Sequence, residues 1–212
     1  MQLREMLRNV SRTFAISIEH LPAGLRDAVT IAYLLFRVSD CLEDHDELEA
    51  SRKAELLRLW AQVLKGDAPV EALTEAIAHL DENDPEVYVA QHADRLLEEL
   101  RKLPLPNQET ILYHVHQTSL GMARWQEHGP FVDTEEELDD YMFEVAGRVG
   151  HLLTHIFAYY FRPIMALKEE LMPLSREFGL ALQTVNIIRG INNTQKLLPR
   201  LTRLANLSLC LA

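Results

Sequence analysis

The sequence predicts an all-α fold arranged as one helical bundle. Apolar residues recur with a period near 3.6 along almost the whole chain, and no segment alternates with the period of two that is typical of a strand. The joints between the apolar stretches are short and polar, as they are in helical bundles. With 212 residues and 48% hydrophobic content, the chain can bury one sizeable core and needs no second domain.

The first half of the chain is predicted to hold five helices. The first opens after Pro22 and runs past residue 44. Gly66 lies in the joint that ends the second helix, and Pro85 closes the joint after the third. Pro106 suits the first turn of the fifth helix, where its missing N–H has no partner to lose. The first helix is predicted from residue 23 to beyond residue 44, and the other four at 47–64, 70–79, 86–102 and 106–127.

The second half is predicted to hold two long helices. Thr134 and Glu137 form a capping box, which satisfies two free N–H groups at a helix start. This helix is expected to reach Phe161, because the following Arg162-Pro163 stops it. A short connector at 169–172 then leads to the last helix, at 174–189.

Composition restricts the classes of function. The net charge of −11 argues against binding a nucleic-acid backbone through a basic surface. The two cysteines, Cys41 and Cys210, are typical of a reducing compartment and of no disulfide framework. The sequence shows neither the apolar core of a signal peptide nor ~18 uninterrupted apolar residues. We therefore expect a cytoplasmic location, with peripheral association at the inner face of the membrane left open.

A polar stripe crosses the first predicted helix. At about 100° per residue, Tyr33, Arg37, Asp40 and Asp44 fall within roughly 60° of one another, and Glu43 lies at the edge of the stripe. The flanking residues are apolar, so such a stripe is costly unless something compensates its charges. Carboxylates one turn apart suit a divalent cation such as Mg²⁺. The alternative is a helix end that simply emerges into solvent.

Four blocks of the sequence together resemble the squalene and phytoene synthase family, the head-to-head prenyl-diphosphate synthases. Residues 11–15 read Ser-Arg-Thr-Phe-Ala, and the polar stripe forms the second block. Residues 141–150 read Tyr-Met-Phe-Glu-Val-Ala-Gly-Arg-Val-Gly, and residues 183–189 read Gln-Thr-Val-Asn-Ile-Ile-Arg. The blocks follow the family's order over residues 7–189. The first two of these blocks look closer to those of squalene synthases than to those of phytoene synthases.

The resemblance implies a fold and a reaction. The fold is an isoprenoid-synthase-like helical domain around a central cavity, over residues 1–189 and without the family's usual C-terminal part. The reaction joins two prenyl diphosphates head to head. Two farnesyl diphosphates would give presqualene diphosphate and then squalene, with NADPH as the reductant. Phytoene synthases instead condense geranylgeranyl diphosphate without reduction.

The resemblance also implies site residues. Mg²⁺ would be held by Asp40, Glu43 and Asp44, where it would neutralise charge developing on the leaving diphosphate. Tyr33, Tyr141 and Arg37 would be catalytic. The side chains placed at the substrate are those of Arg12, Phe14, Arg37, Val145, Gly147, Gln183, Asn186 and Arg189.

Structural roles remain alternatives for most of these residues. Each tyrosine can be a core residue with a satisfied hydroxyl, and Arg37 can form an ion pair with a neighbouring acid. The glycines of residues 145–150 can allow either close helix packing or room for a ligand. We prefer the interpretation that they make room for a ligand. His151 and His155 lie one turn apart, as in a zinc helix. No nearby sequence completes such a site, so surface or packing roles are preferred for these histidines.

The resemblance breaks after Arg189. The family normally continues with an aspartate and further acids a turn later, whereas this chain has Gly190 and Thr194. Residues 190–212 form a divergent tail. Besides the squalene-type condensation, two functions therefore stay open: a non-catalytic binding or assembly protein on the same helical fold, and a phytoene-synthase-type condensation.

Overall fold

The computed structural model describes residues 3–129 and 131–191, without the side chains of Arg12 and of residues 186–191. Every regular element in these ranges is a helix, which confirms the predicted all-α class. The elements are α1 (Leu3–Val10), α2 (Arg12–Glu19), α3 (Ala23–Asp44), α4 (Ala50–Lys65), α5 (Val70–Ala76), α6 (Pro85–Gln91), α7 (Ala93–Leu100), α8 (Leu105–His128), α9 (Glu135–Met142), a π-helical turn (Phe143–Gly147), α10 (Arg148–Tyr160), α11 (Arg162–Ala166) and α12 (Lys168–Ile191).

The helix α3 forms the centre of the bundle. It packs against α1, α4, α6, α7, α8 and α10. Most of its residues are buried, including Leu34, Leu35 and Val38 at 0% exposure. A hydrogen bond of 2.9 Å between the hydroxyls of Ser39 and Ser119 ties α3 to α8 inside the core. The polar stripe of α3 is thus carried by the most enclosed helix of the fold.

The prediction of one helix at 86–102 is wrong in one respect, because this segment forms two helices, α6 and α7. The chain breaks at His92, whose backbone leaves the helical region at φ −110° and ψ 29°. The side chain of Gln91 donates to the carbonyls of Ile77 and Leu80, at 3.0 and 3.1 Å. These contacts anchor the end of α6 to the preceding loop, and α7 begins as a separate helix at Ala93.

The predicted connector at 169–172 is also wrong, because it belongs to α12. Pro173 lies inside this helix, near its start. A proline there removes only the donor to the carbonyl of residue 169, four residues earlier. Ser175 donates its hydroxyl to the carbonyl of Met172 over 2.9 Å, which helps to keep the turn closed. The predicted tail from residue 190 overlaps the end of α12 at residues 190–191, and its remainder lies outside the described residues.

The Thr134 half of the capping box at the start of α9 is confirmed, whereas its Glu137 half is directed to the residue before the cap. The backbone N–H of Glu137 donates to the Thr134 hydroxyl over 3.1 Å, and the Glu137 carboxylate accepts from the N–H of Asp133 over 2.7 Å. The long helix predicted from residue 134 also ends where expected, at Tyr160. It is interrupted by the π-helical turn, a feature that is frequent at functional sites.

None of the helices in the described ranges is long and apolar enough to cross a bilayer.

Candidate functional site

The polar stripe of α3 brings Arg37 and Asp40 into direct contact. Arg37 Nη1 donates to Asp40 Oδ2 over 2.8 Å, one turn along the helix. The two side chains retain 23% and 29% of their exposure, whereas Asp44 is exposed at the end of α3. The ion pair expected as an alternative for Arg37 is therefore present. The two carboxylates of the stripe still reach solvent.

Glu86 completes this site and was missed by the sequence prediction. It lies at the start of α6, and its carboxylate accepts a short hydrogen bond from Arg37 Nη2. The Asp84 side chain caps the same helix by accepting from the N–H of Glu86 over 2.8 Å. The Asp-Pro-Glu start of α6 was visible in the sequence. Its contact with a residue 49 positions earlier was not, because it depends on how α6 packs on α3.

The charges of the site shift one another's protonation. Burial raises the pKa of Asp40 to about 6; Arg37 opposes the rise, and Asp44 and Glu86 add to it. Burial lowers the pKa of Arg37, but Asp40 and Glu86 outweigh that effect and raise it overall. Asp40 is therefore ionised at neutral pH. Burial, with nearby acids, raises the pKa of the Cys41 thiol to about 12, so this thiol stays protonated at neutral pH.

The end of α3 is a strongly anionic place. Glu43 is buried, with 7% exposure, and Asp44 is the last residue of the helix. The last turn of α3 contains no basic residue. Because the C-terminal end of a helix already carries a partial negative charge, two carboxylates there favour a cation nearby.

Tyr33 lies at the other end of the stripe, beneath the start of α2. The ring of Phe14 packs at 6.1 Å from the Tyr33 ring, and half of the Phe14 side chain remains exposed. Burial raises the pKa of Tyr33, and a hydrogen bond with Ser11 opposes the rise. The Ser11 hydroxyl also caps α2 by accepting from the N–H of Phe14 over 3.1 Å. The side chain of Arg12 lies outside the described residues.

Tyr141 lies in a second apolar cluster, apart from the main core. The cluster also contains Trp125 and Leu180, and the Trp125 ring meets the Tyr141 ring edge-on at 5.5 Å. Trp125 Nε1 donates to the carboxylate of Asp140 over 3.0 Å, which fixes the orientation of the indole. Val145 packs against both clusters. It therefore links Tyr141 to the core that holds the stripe.

Arg148 forms an ion pair with the buried Glu144, one helical turn earlier. Arg148 Nε and Nη2 contact the two oxygens of that carboxylate, at 2.5 and 2.9 Å. Glu144 lies against α8, where a Cβ on Gly121 would be 2.4 Å from its Oε2. This ion pair joins the π-helical turn to the first residue of α10. It explains how a charged residue is accommodated between Gly147 and Gly150.

The glycines of this segment serve helix packing. A Cβ on Gly150 would meet the backbone oxygen of Ser175 at 2.1 Å, and a Cβ on Gly179 would meet the Cα of Gly147 at 2.9 Å. The preferred interpretation, room for a ligand, is therefore not needed to explain them. A contact of Val145 and Gly147 with substrate stays a prediction. So does one of Gln183, which is half-buried on α12; Asn186 and Arg189 lie outside the described side chains.

The histidines are closer together than the sequence suggested. His114 of α8 packs its ring 5.5 Å from that of His155, and with His151 they line a cavity of about 450 Å³. Burial lowers the pKa of His114 to about 3. Within the part of the chain that the structure describes, no three His, Cys, Asp or Glu side chains form a group that could hold a metal ion.

Comparison with known proteins identifies the family. A model of the family described as squalene/phytoene synthase matches residues 7–200. Squalene synthase BSS of Botryococcus braunii is 34% identical over 194 residues, which cover 87% of this chain and 38% of that protein. Squalene synthase of Eremothecium gossypii is 33% identical over 192 residues, covering 87% of this chain and 42% of that protein. The chain thus spans less than half the length of these two relatives.

A solved structure agrees with this assignment. The complex of TcSQS with the ligand BPH1237 matches with a TM-score of 0.73 and 25% sequence identity, covering 93% of this chain and 55% of that chain. Together with the extent of the family match, this similarity of fold and sequence shows that the chain belongs to the squalene/phytoene synthase family.

Proposed function

We propose that this chain catalyses the head-to-head condensation of two prenyl diphosphates, with two farnesyl diphosphates as substrates. Membership of the family supports prenyl diphosphates as the substrate class and a divalent metal in the chemistry. The observation that carries the proposal is the end of α3, where Asp40 and Asp44 reach solvent one turn apart at the negative end of an otherwise buried helix.

The donor set at this helix end fits Mg²⁺. This ion is usually bound through one or two carboxylates, with water and substrate phosphate oxygens as its other ligands. Asp40 and Asp44 would hold it, and Glu43 adds negative charge from the edge of the stripe. When bound, Mg²⁺ would neutralise the charge that develops on the leaving diphosphate.

The other residues of the stripe have roles that follow from their surroundings. Arg37 presents a planar guanidinium beside the carboxylates, a geometry that suits a phosphate oxygen. Tyr33 keeps its hydroxyl proton, because burial raises its pKa, and can donate a hydrogen bond to the substrate. The Phe14 ring covers Tyr33 and limits its access to water. Tyr141, with its ring held by Trp125, would meet the prenyl chain from the second cluster.

The reaction is tested by incubating the protein with farnesyl diphosphate, Mg²⁺ and NADPH and identifying products by mass spectrometry. We expect presqualene diphosphate without NADPH and squalene with it. A parallel incubation with geranylgeranyl diphosphate distinguishes the phytoene-type condensation. Absence of any condensation product from either substrate, with both substrates bound, would support the non-catalytic alternative.

The binding step is tested separately. The dissociation constant of farnesyl diphosphate should fall when Mg²⁺ is present, because each ligand supplies what the other lacks. Asp40→Asn should weaken this coupling by about tenfold or more, a typical effect of losing a charged contact, with little change in melting temperature. Glu47→Gln, an exposed acid beyond α3, is the control. Equal affinity with and without Mg²⁺ would count against the proposed site.

One observation favours the non-catalytic alternative. The chain has Gly190 and Thr194 where the resemblance predicts a second pair of acids. A protein with only the first acidic motif would bind a prenyl diphosphate and release it unchanged. Substrate binding without turnover is the signature of this function.

A further inference from the structure

We propose that Glu86 is a positioning residue that keeps Asp40 available to a divalent cation by holding one arm of Arg37. The inference rests on the proposed function and concerns the same site. It adds a residue outside the four blocks that identified the family.

Arg37 is shared between two carboxylates. Its Nη1 contacts Asp40 at 2.8 Å, and its Nη2 contacts Glu86. Its Nε is buried and has no hydrogen-bond partner among the described residues. The guanidinium can therefore be held from the α6 side, from the α3 side, or from both.

The position of Glu86 is fixed by its own helix. Pro85 occupies the first turn of α6 and the Asp84 side chain caps it, so the backbone that carries Glu86 is well defined. Val87 and Ala90 of the same helix are fully buried. Because α6 packs directly on α3, Glu86 meets Arg37 from a rigid element and not from a loop.

The consequence concerns competition for Asp40. A cation that binds Asp40 must displace Arg37 from it. With Glu86 in place, Arg37 keeps one charge-assisted hydrogen bond after it leaves Asp40 and stays beside the site. Without Glu86, both arms of Arg37 are free to turn to Asp40, and the negative charge that attracts the cation is smaller.

A purely structural role for Glu86 makes a different prediction. If the Glu86–Arg37 pair only holds α6 against α3, its loss lowers the stability of the protein and weakens the binding of every ligand together. If Glu86 positions Arg37, its loss weakens the binding of the cation and strengthens the binding of an anion without metal. The anion binds more tightly because the Glu86 carboxylate, which repels it and pairs with Arg37, is gone. The two ligands therefore change in opposite directions.

The experiment compares Glu86→Gln with Glu71→Gln in the full chain. Glu71 is the second residue of α5 as Glu86 is of α6, so both variants lose the same interaction with a helix N-terminus. Binding of Mg²⁺ and of inorganic diphosphate is measured by calorimetry, alone and together. Glu86→Gln should weaken the binding of Mg²⁺ about tenfold and tighten the binding of diphosphate without metal severalfold. Glu71→Gln should change neither, and Glu86→Asp should restore part of the Mg²⁺ affinity.

The outcomes separate this inference from the proposed function. If the unaltered protein binds Mg²⁺ with diphosphate and Glu86→Gln matches it in both affinities, the inference alone is overturned. A parallel loss of both affinities together with a lower melting temperature would also overturn it, in favour of the structural role. If the unaltered protein binds no Mg²⁺ in the presence of diphosphate, the proposed function and the inference both fail.

Discussion

His114 is a single side chain whose environment has consequences for the stability of the protein. It is 5% exposed, and its Nδ1 has no hydrogen-bond partner among the described residues. Burial lowers its pKa to about 3, and the nearby His155, His151 and Arg148 add to the effect. A histidine in these surroundings stays neutral throughout the physiological range, and acid must protonate it against this environment.

We predict that His114 makes the protein less stable as the pH falls below about 6.5, its ordinary pKa. Between about pH 6.5 and 3 this histidine is protonated in the unfolded chain and neutral in the folded chain. The free energy of unfolding therefore falls with decreasing pH, by up to ~1.4 kcal/mol per pH unit for this group. Urea unfolding at pH 7.5, 6.0 and 5.0 measures the slope, and His114→Gln should make it shallower.

A control separates this effect from the other titrating groups. His79 is exposed, so His79→Gln should keep the slope of the unaltered protein. Burial also lowers the pKa of His151 and of His155, so part of the slope remains in His114→Gln. An identical pH slope with and without His114 would show that its burial does not control acid stability.

At the scale of elements, local signals predicted the helix that carries the site. Pro22 precedes α3 and a largely apolar run follows, so the start at Ala23 was predicted, whereas the helix was expected to run past its observed end at Asp44. The break between α6 and α7 was not, because it depends on hydrogen bonds from Gln91 to carbonyls of a preceding loop. The contact between Glu86 and Arg37 was missed for the same reason. Both depend on tertiary packing, which helical periodicity does not report.

The contact between α10 and α12 gives a prediction for an element. A Cβ on Gly150 would approach a backbone oxygen of α12 at 2.1 Å, so Gly150→Ala must separate the two helices. The better helix propensity of alanine contributes about 1 kcal/mol in the opposite direction. We expect a net loss of ~1–3 kcal/mol of unfolding free energy, the usual cost of overpacking, measured by urea unfolding.

Gly121→Ala is the matched control for this substitution. Its added Cβ meets the side chain of Glu144 at 2.4 Å, and a side chain can move where a backbone cannot. Its cost should therefore be smaller than that of Gly150→Ala. Equal or greater stability of Gly150→Ala would mean that α12 is not held against α10 by this close approach.

At the scale of the whole molecule, no other element among the described residues covers one side of α12. This side carries the side chains of Leu174, Phe178, Leu182 and Val185, each at least 42% exposed. A contiguous apolar surface of this kind is typical of a face that packs against another element. The solved TcSQS chain, of which this chain covers 55%, extends well beyond the matched part.

The last prediction concerns the two acidic motifs. If carboxylates of both acidic motifs are needed at the leaving diphosphate, the chain should bind substrate but turn it over slowly. The reason is charge, because Gly190 and Thr194 stand where two anionic side chains are expected. Loss of one electrostatic contact at a transition state can lower the rate by ~100-fold or more. Gly190→Asp combined with Thr194→Asp should therefore raise product formation by at least ~100-fold.

A charge-matched variant makes this test specific. Gln62→Glu with Ala78→Glu adds two acids at exposed positions outside the four sequence blocks, so it repeats the change in net charge elsewhere in the molecule. It should leave product formation unchanged, whereas the pair at 190 and 194 raises it. Rapid squalene formation by the unaltered chain, with no gain from either pair, would show that the carboxylates of α3 are sufficient for the reaction.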